Sequence, residues 1–292
     1  MFKKKLYPQW FLAIPLILYI VFFLLPGILG IAYSFTDWNA RSINGTSFIG
    51  LENYKEVFTS NVNYSSGILN TLKFTVVSNI VKIIPALFLA IMLQKGVKGK
   101  NFYRSCFYIP SVLPYLIIGL IFKSILNYNT GLLNKTLDFI GLGFLKQQWL
   151  SDLNVVWKSI YLVDAWRGIG YVMTIFLAGL STIPNSYYEA ASIDGANFFQ
   201  KLRYITLPML TGALTINLVF GITYGLKVFD IIYVLTNGGP GHATEVITTY
   251  SYNLYANGRY AMSSTLNTIL FIITAVIGIA VVKIMSNREV QQ

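Results

Sequence analysis

The sequence predicts an all-α, polytopic membrane protein with six transmembrane helices in a single domain, residues 1–292. Three observations predict it. Of the 292 residues, 55% are hydrophobic and 11% charged, and mean hydropathy is +0.59; a soluble domain carries roughly a quarter charged residues. Apolar stretches near the ~20 residues needed to cross a bilayer recur along the chain. Lysine and arginine gather in alternate loops, as the positive-inside rule requires of a multi-pass protein.

Span 1 covers about 10–33 and contains Pro15 and Pro26, which a membrane helix tolerates when neighbours re-satisfy the freed carbonyls. Lys3, Lys4 and Lys5 precede it, as in a signal peptide, but the run is too long for an h-region and no A-x-A site follows, so it reads as an uncleaved span. Residues 36–66 form a polar loop; 48–54 read F-I-G-L-E-N-Y, and the paucity of breakers over 47–58 predicts a short helix there. Span 2, about 68–93, carries Lys73, Lys82 and Pro85. Lys73 can snorkel to the interface; Lys82 is deeper and must face protein or water. The loop 94–104 holds Lys95, Lys98, Lys100 and Arg104 and no acid, which marks the inside.

Span 3, about 106–126, again has internal prolines, Pro110 and Pro114. Residues 127–153 form a second outer loop and span 4 runs over about 155–180. A polar-studded segment, 184–208, separates it from span 5, about 209–228. The third outer loop, 229–262, contains the turn-rich Asn237-Gly238-Gly239-Pro240-Gly241, and span 6 covers about 264–285. With both termini inside, the inner segments hold Lys3, Lys4, Lys5, Lys95, Lys98, Lys100, Arg104, Lys201, Arg203, Lys283 and Arg288, eleven in all, against five outside: Arg41, Lys55, Lys135, Lys146 and Arg259. The formal charge of +11 is thereby explained without nucleic acid.

No catalytic constellation is visible. There is no Walker A phosphate loop, so hydrolysis of ATP by that route is excluded. The lone histidine, His242, excludes a multi-histidine metal site within the chain, and the lone Cys106 excludes an internal disulfide. Cys106 at a membrane edge reads as a small apolar filler.

The chemistry that stands out lies inside spans 4 and 5. Asp164 and Arg167 are three apart, share a helix face and can pair. Intramembrane ionisable residues are costly unless paired or wet, and mark function by default. Gly168 and Gly170 thin the helix or let it unwind; Trp166 and Tyr171 offer apolar faces with a polar handle, suited to the C–H face of a sugar ring. The plainer alternative is an interfacial aromatic belt with a glycine packing seam. In span 5, Gly221 and Gly225 are four apart and make a close-packing face, with Tyr224 between them. Lys227 and Asp230 near its outer end suit an interfacial pair as well as a ligand contact.

Residues 189–208 read EAASIDGANFFQKLRYITLP, bracketed by Pro184 and Pro208. The composition predicts a short helix, a bend at Gly195 and a second short helix outside the bilayer. Glu189, Ala190, Ala191, Gly195, Ile205, Leu207 and Pro208 occupy seven fixed positions of the pattern E-A-A, three residues, G, nine residues, I, one residue, L-P. Asp194 and Ala196 complete an I-D-G-A version. The segment resembles the EAA loop of ABC importer permeases, which implies a coupling helix seated in a groove of a cytosolic ATPase. Small alanines admit close approach, Gly195 permits the bend, and Glu189 offers a carboxylate to a basic partner or to its own helix N-terminus. Without that resemblance the segment reads as an amphipathic interfacial helix pair.

The phrase F-D-I-I-Y-V-L-T-N-G-G-P-G at 229–241 and the phrase at 48–54 extend the resemblance over nearly the whole chain, to carbohydrate permeases of the maltose-permease F type. The resemblance implies a heterodimer with a homologous G-type permease, two cytosolic ATPase domains holding ATP and Mg, an extracytoplasmic solute-binding protein, and a bacterial inner (cytoplasmic) membrane. It implies no cofactor on this chain itself. It also implies a sugar held midway through the membrane, with Asp164, Trp166, Arg167, Gly168 and Tyr171 matching one group of positions and Gly221, Tyr224 and Gly225 the other. The side chains are not those of a maltose site throughout: they suit a different oligosaccharide, or an acidic one with Arg167 as counter-charge. The rival readings are a secondary carrier driven by an ion gradient, with Asp164 and Arg167 as relay, a membrane-embedded enzyme, and a scaffold that moves nothing.

Overall fold

The computed structural model describes residues 10–42, 45–60, 64–94 and 96–286. Lys3, Lys4, Lys5, Lys95 and Arg288, counted above as inner charges, lie outside the described residues. Span 1 is α1 (Trp10–Tyr19), a π turn over Ile20–Leu24 and α2 (Leu25–Tyr33). The π turn immediately precedes Pro26. A proline ring collides with the carbonyl four residues back, and the wider turn around Phe22 relieves that collision without ending the helix.

The predicted short helix is α3 (Glu52–Thr59), and span 2 is α4 (Tyr64–Gln94), which runs through Pro85. Span 3 departs from expectation. It starts earlier, as α5 (Lys100–Val112), and continues as α6 (Tyr115–Ile125) at an angle of 96°. The break is Leu113-Pro114: the proline pushes Leu113 out of the helical region, to ψ 139°.

The loop between spans 3 and 4 is partly helical, with α7 (Leu132–Phe139) and a 3-10 turn at Gly143–Leu145. Span 4 is α8 (Val156–Ser181). The polar segment holds α9 (Asn185–Ile193), α10 (Phe198–Lys201), a second π turn (Leu202–Thr206) placed before Pro208, and α11 (Leu207–Met209). A 67° bend then leads into span 5, α12 (Thr211–Leu226). The loop between spans 5 and 6 contains α13 (Asp230–Leu235) and α14 (Ile247–Ala256), helices too short to announce themselves by periodicity, and span 6 is α15 (Tyr260–Ser286). Among the described residues, four helices are long and apolar enough to cross a membrane, or up to six spans if each bent pair counts as one.

The chain divides into two compact units, residues 1–65 with 250–271, and residues 66–249 with 272–292. In the first, Asn53 donates to the carbonyls of Ser34 and Thr36 at 2.9 and 2.8 Å, and the Ser34 and Tyr54 hydroxyls meet at 2.6 Å. The F-I-G-L-E-N-Y phrase thus latches the end of span 1. Arg259 closes the same unit against Glu56 at 2.7 Å.

In the second unit the apolar core is split. One cluster gathers Phe74, Ile118, Val163, Ile231 and Ile232, the other Ala86, Ala90, Met173, Phe176 and Leu210. Between them, on the same helices, lies a polar level: Ser78, Asn79 and Lys82 of α4, Asp164 and Arg167 of α8, Asn217 of α12. The turn-rich segment after α13 is held by Asn70, which donates to the carbonyls of Ala243 and Glu245 at 3.1 and 2.9 Å, and by the Trp157 indole, which donates to Ala243 at 3.2 Å.

Candidate functional site: an intramembrane cavity and an exposed helical loop

The polar level exists because the sequence lets α4 come close to α8 and α12. A Cβ on Gly168 would sit 2.6 Å from Lys82 Cδ, one on Gly221 1.8 Å from Asn79 Oδ1, and one on Gly225 2.7 Å from Thr75 Cα. Gly170 does the same for α5, whose Phe107 carbonyl oxygen lies 1.9 Å from the Cβ position. The four glycines are packing surfaces. The helix does not unwind at Gly168 or Gly170, contrary to one expectation from the sequence.

The charge pairing also differs from expectation. Asp164 is fully buried and its carboxylate faces Lys82, at 3.0 Å, not Arg167. It also accepts from Ser78 Oγ at 2.6 Å, from Tyr224 at 2.9 Å and from Tyr115 at 3.4 Å. A buried ion pair is tolerable when the remaining lone pairs are satisfied in this way. The Lys82 ammonium also lies 4.5 Å from the centre of the Tyr224 ring, which stacks on Tyr115. Arg167 is left with a weaker set: its Nε donates to the Leu113 carbonyl at 3.1 Å, and its guanidinium lies over the Tyr115 ring at 3.6 Å. That carbonyl is turned toward it by the Leu113-Pro114 break. Among the described residues no carboxylate lies within ion-pair distance of Arg167.

Above this network opens a cavity of about 450 Å³. Of the sequence-derived candidates, Arg167, Gly168, Tyr171, Gly221 and Tyr224 line it; Asp164 lies behind the wall, and Gly225 and Trp166 do not line it. Trp166 is 45% exposed on another face of α8, edge-on to Phe122. Sequence reasoning missed Asn79, Tyr108, Ser111, Tyr115, Asn217 and Phe220. One signal was available: Thr75, Ser78, Asn79 and Lys82 fall at helical spacing in an otherwise apolar span. Asn217 is buried, and its Oδ1 has no hydrogen-bond partner among the described residues.

The second assembly is the loop after α8. Pro184 caps α9, and α9 ends in a Schellman motif: Ala196 N–H donates to Ala191 O at 2.8 Å and Gly195 N–H to Ser192 O at 3.2 Å. Gly195 takes φ +75°, the left-handed turn that position requires, and Asp194 is the last half-helical residue. The spacing of Ala191, Asp194, Gly195 and Ala196 is therefore that of a helix C-terminus. Asn197 then starts α10 with a capping box completed by Gln200. The two arms are tied by Lys201 Nζ donating to Ser192 Oγ at 2.7 Å and by Tyr188 and Thr206 at 3.0 Å. Ile205 is partly buried against the lower apolar cluster, and Leu207 and Pro208 open α11. Glu189 and Ala190 are exposed, beside Ile193 at 87% and Phe199 at 76% exposure.

Helices that cross a membrane, a polar cavity between them and an exposed helical loop between two spans define a membrane permease. Comparison with known proteins agrees. Residues 82–289 match the family described as binding-protein-dependent transport system inner membrane component, and the chain belongs to that family. It is 34% identical over 292 residues to the multiple sugar-binding transport system permease protein MsmF of Streptococcus mutans, covering 99% of each chain. It is 34% identical over 291 residues to the probable starch degradation products transport system permease protein AmyD of Thermoanaerobacterium thermosulfurigenes, covering 99% of this chain and 97% of that one. A solved bacterial ABC transporter involved in import of the acidic polysaccharide alginate superposes with TM-score 0.82 over 96% of each chain; at 23% identity this is a likeness of fold. The chain is thus a multi-pass, non-catalytic permease subunit of an ABC transport system, ATP hydrolysis belonging to a separate subunit.

Proposed function

We propose that this chain carries an oligosaccharide across the membrane and holds it in the cavity between α4, α5, α8 and α12. The observation that carries the reading is the make-up of that cavity. Tyr171 and Phe220 offer ring faces, Tyr115 and Tyr224 complete the wall, Asn79, Ser111 and Asn217 offer amides and a hydroxyl, and the buried Asn217 Oδ1 lacks a donor that a sugar hydroxyl supplies. Aromatic faces with sparse, fixed polar groups suit a ring with apolar C–H faces and a polar rim. The named sugar permeases at 34% identity support the same class.

In this reading the chain is the F-type half of a heterodimer with a homologous G-type permease. Its loop at 184–208 docks in a groove on one of two cytosolic ATPase domains, both termini lie on that side, and an extracytoplasmic binding protein delivers the sugar opposite. Closure of the ATPase dimer on ATP and Mg pulls the coupling loops together and rocks the spans. ATP does this only by binding one state better than the other. The ion-gradient carrier is disfavoured because its relay pair does not form: Asp164 is enclosed by Lys82, Ser78, Tyr115 and Tyr224, away from Arg167.

The test is affinity purification of the tagged chain from a gentle detergent, followed by ATPase assay with a panel of sugar-loaded binding proteins. Recovery of a second permease and an ATPase, with hydrolysis stimulated by one loaded binding protein, supports the reading. Purification of the chain alone under all conditions sinks it.

A further inference from the structure

Resting on that proposal, a second cavity bears on the charge of the sugar. It measures about 330 Å³ and is lined by Asn101, Arg104, Ser105 and Tyr108 of α5 with Thr174 of α8. Tyr108 also lines the larger cavity, so the two adjoin along one seam. On α5, Asn101, Arg104, Tyr108 and Ser111 recur at three- and four-residue spacing and share a face; on α8, Arg167, Tyr171 and Thr174 do the same. The two faces are held together by the Ser111 hydroxyl, which donates to Arg167 O at 2.7 Å and accepts from Tyr171 N–H at 3.2 Å. The seam is a track of hydroxyls, amides and tyrosine rings with an arginine toward each end. The arginines are roughly 10 Å apart along the helix axis, seven residues of α5 at the helical rise separating Arg104 from Ser111.

The charges along this track do not balance. Among the described residues no Asp or Glu side chain lines either cavity, and the Asp164 carboxylate behind the wall is already matched by Lys82. Arg167 and Arg104 have no carboxylate partner among the described residues, and Lys100 at the start of α5 and Lys98 in the loop before it extend the same sign. An uncompensated guanidinium at membrane depth is costly, and a ring face with one carbonyl offsets only part of that cost. Walls of one sign in a low-dielectric cleft also concentrate ligands of the opposite sign.

We infer that the substrate is an anionic oligosaccharide, of the uronate class. One carboxylate sits on Arg167 while the sugar rings stack on Tyr171 and Phe220, and Arg104 receives a second carboxylate as the chain moves along the track. Guanidinium and carboxylate match in a two-point fork, which gives orientation as well as attraction.

The experiment is isothermal titration of the detergent-solubilised complex, with its co-expressed partner subunits, against trigalacturonate and maltotriose. The inference expects trigalacturonate to bind at least about tenfold more tightly, with the preference shrinking as salt rises. Arg167→Gln and Arg104→Gln each lower trigalacturonate affinity by about tenfold and maltotriose affinity by less, and Arg167→Lys, which keeps the charge but not the fork, recovers only part of the loss. Arg104 is exposed, so its variant does not put the fold at risk. Maltotriose binding as tightly as trigalacturonate overturns the inference and leaves the carbohydrate reading standing. So does an equal loss for both sugars in Arg167→Gln, which assigns Arg167 to an acid of the partner permease or to packing. Binding of neither sugar, with no loaded binding protein stimulating hydrolysis, overturns the inference and the carbohydrate reading together.

Discussion

Asp164 shows how one buried carboxylate organises its surroundings. Removing it leaves the Lys82 ammonium buried without a partner, so Asp164→Ala is expected to destabilise the protein by about 3–5 kcal/mol. Replacing both members, Lys82→Met with Asp164→Leu, is expected to recover most of that loss. Thermal unfolding in detergent reads both, and equal destabilisation by single and double variants would show that the pair contributes little. The proposed sugar site allows a sharper comparison. Tyr171→Ala or Phe220→Ala removes a ring from the cavity and is expected to raise the half-saturating concentration in sugar-stimulated hydrolysis about tenfold. Trp166→Ala is expected to leave it unchanged, because that ring faces Phe122. A large effect at Trp166 with none at Tyr171 would move the site to the other face of α8. From sequence alone Trp166 and Tyr171 were equivalent candidates on one helix. The direction each faces depends on where α5 and α12 lie, and that is a long-range fact.

At the scale of an element, the loop at 184–208 is the clearest case of local sequence dictating local structure. Its motif positions coincide with a C-terminal turn, a capping box and a proline-relieving π turn. Gly195→Ala forces a Cβ into a left-handed conformation at a cost of about 1 kcal/mol, and Asn197→Ala removes a cap for about 0.5–2 kcal/mol. Both are expected to speed amide hydrogen exchange across 194–200 several-fold while exchange in α8 stays as it was. Unaltered exchange in the loop would mean that its partners, not its turns, hold it. The 96° break between α5 and α6 was half legible. Pro114 announces an interruption, but a membrane helix often continues through a proline, as α4 does at Pro85. Here the Leu113 carbonyl freed by the break finds the Arg167 side chain, a partner 54 positions along the chain.

For the molecule as a transporter, the relevant fact is the layering of the second unit, with a polar level between two apolar clusters on continuous helices. The apolar clusters are closely packed, and the polar level is where a ligand can enter without opening a core. The loop exposes Glu189, Ile193 and Phe199, and the proposed coupling to an ATPase subunit depends on that surface. Ile193→Asp or Glu189→Lys, both on the surface and remote from the cavity, are expected to reduce ATPase recovery on affinity purification, or to leave hydrolysis running without uptake. Normal uptake in proteoliposomes from both variants would show that the partner grips elsewhere.

The sequence by itself determined the class of fold, the number of apolar segments and the loop motif. These rest on composition, on runs near bilayer thickness and on turns whose hydrogen bonds close within six residues. The tertiary structure decided that Asp164 belongs to Lys82 and not to Arg167, which of two neighbouring aromatics faces the cavity, and that four glycines serve close approach. Those outcomes depend on contacts between residues as far as 150 positions apart, Gly225 and Thr75, and helical spacing fixes only which residues share a face, never what that face meets.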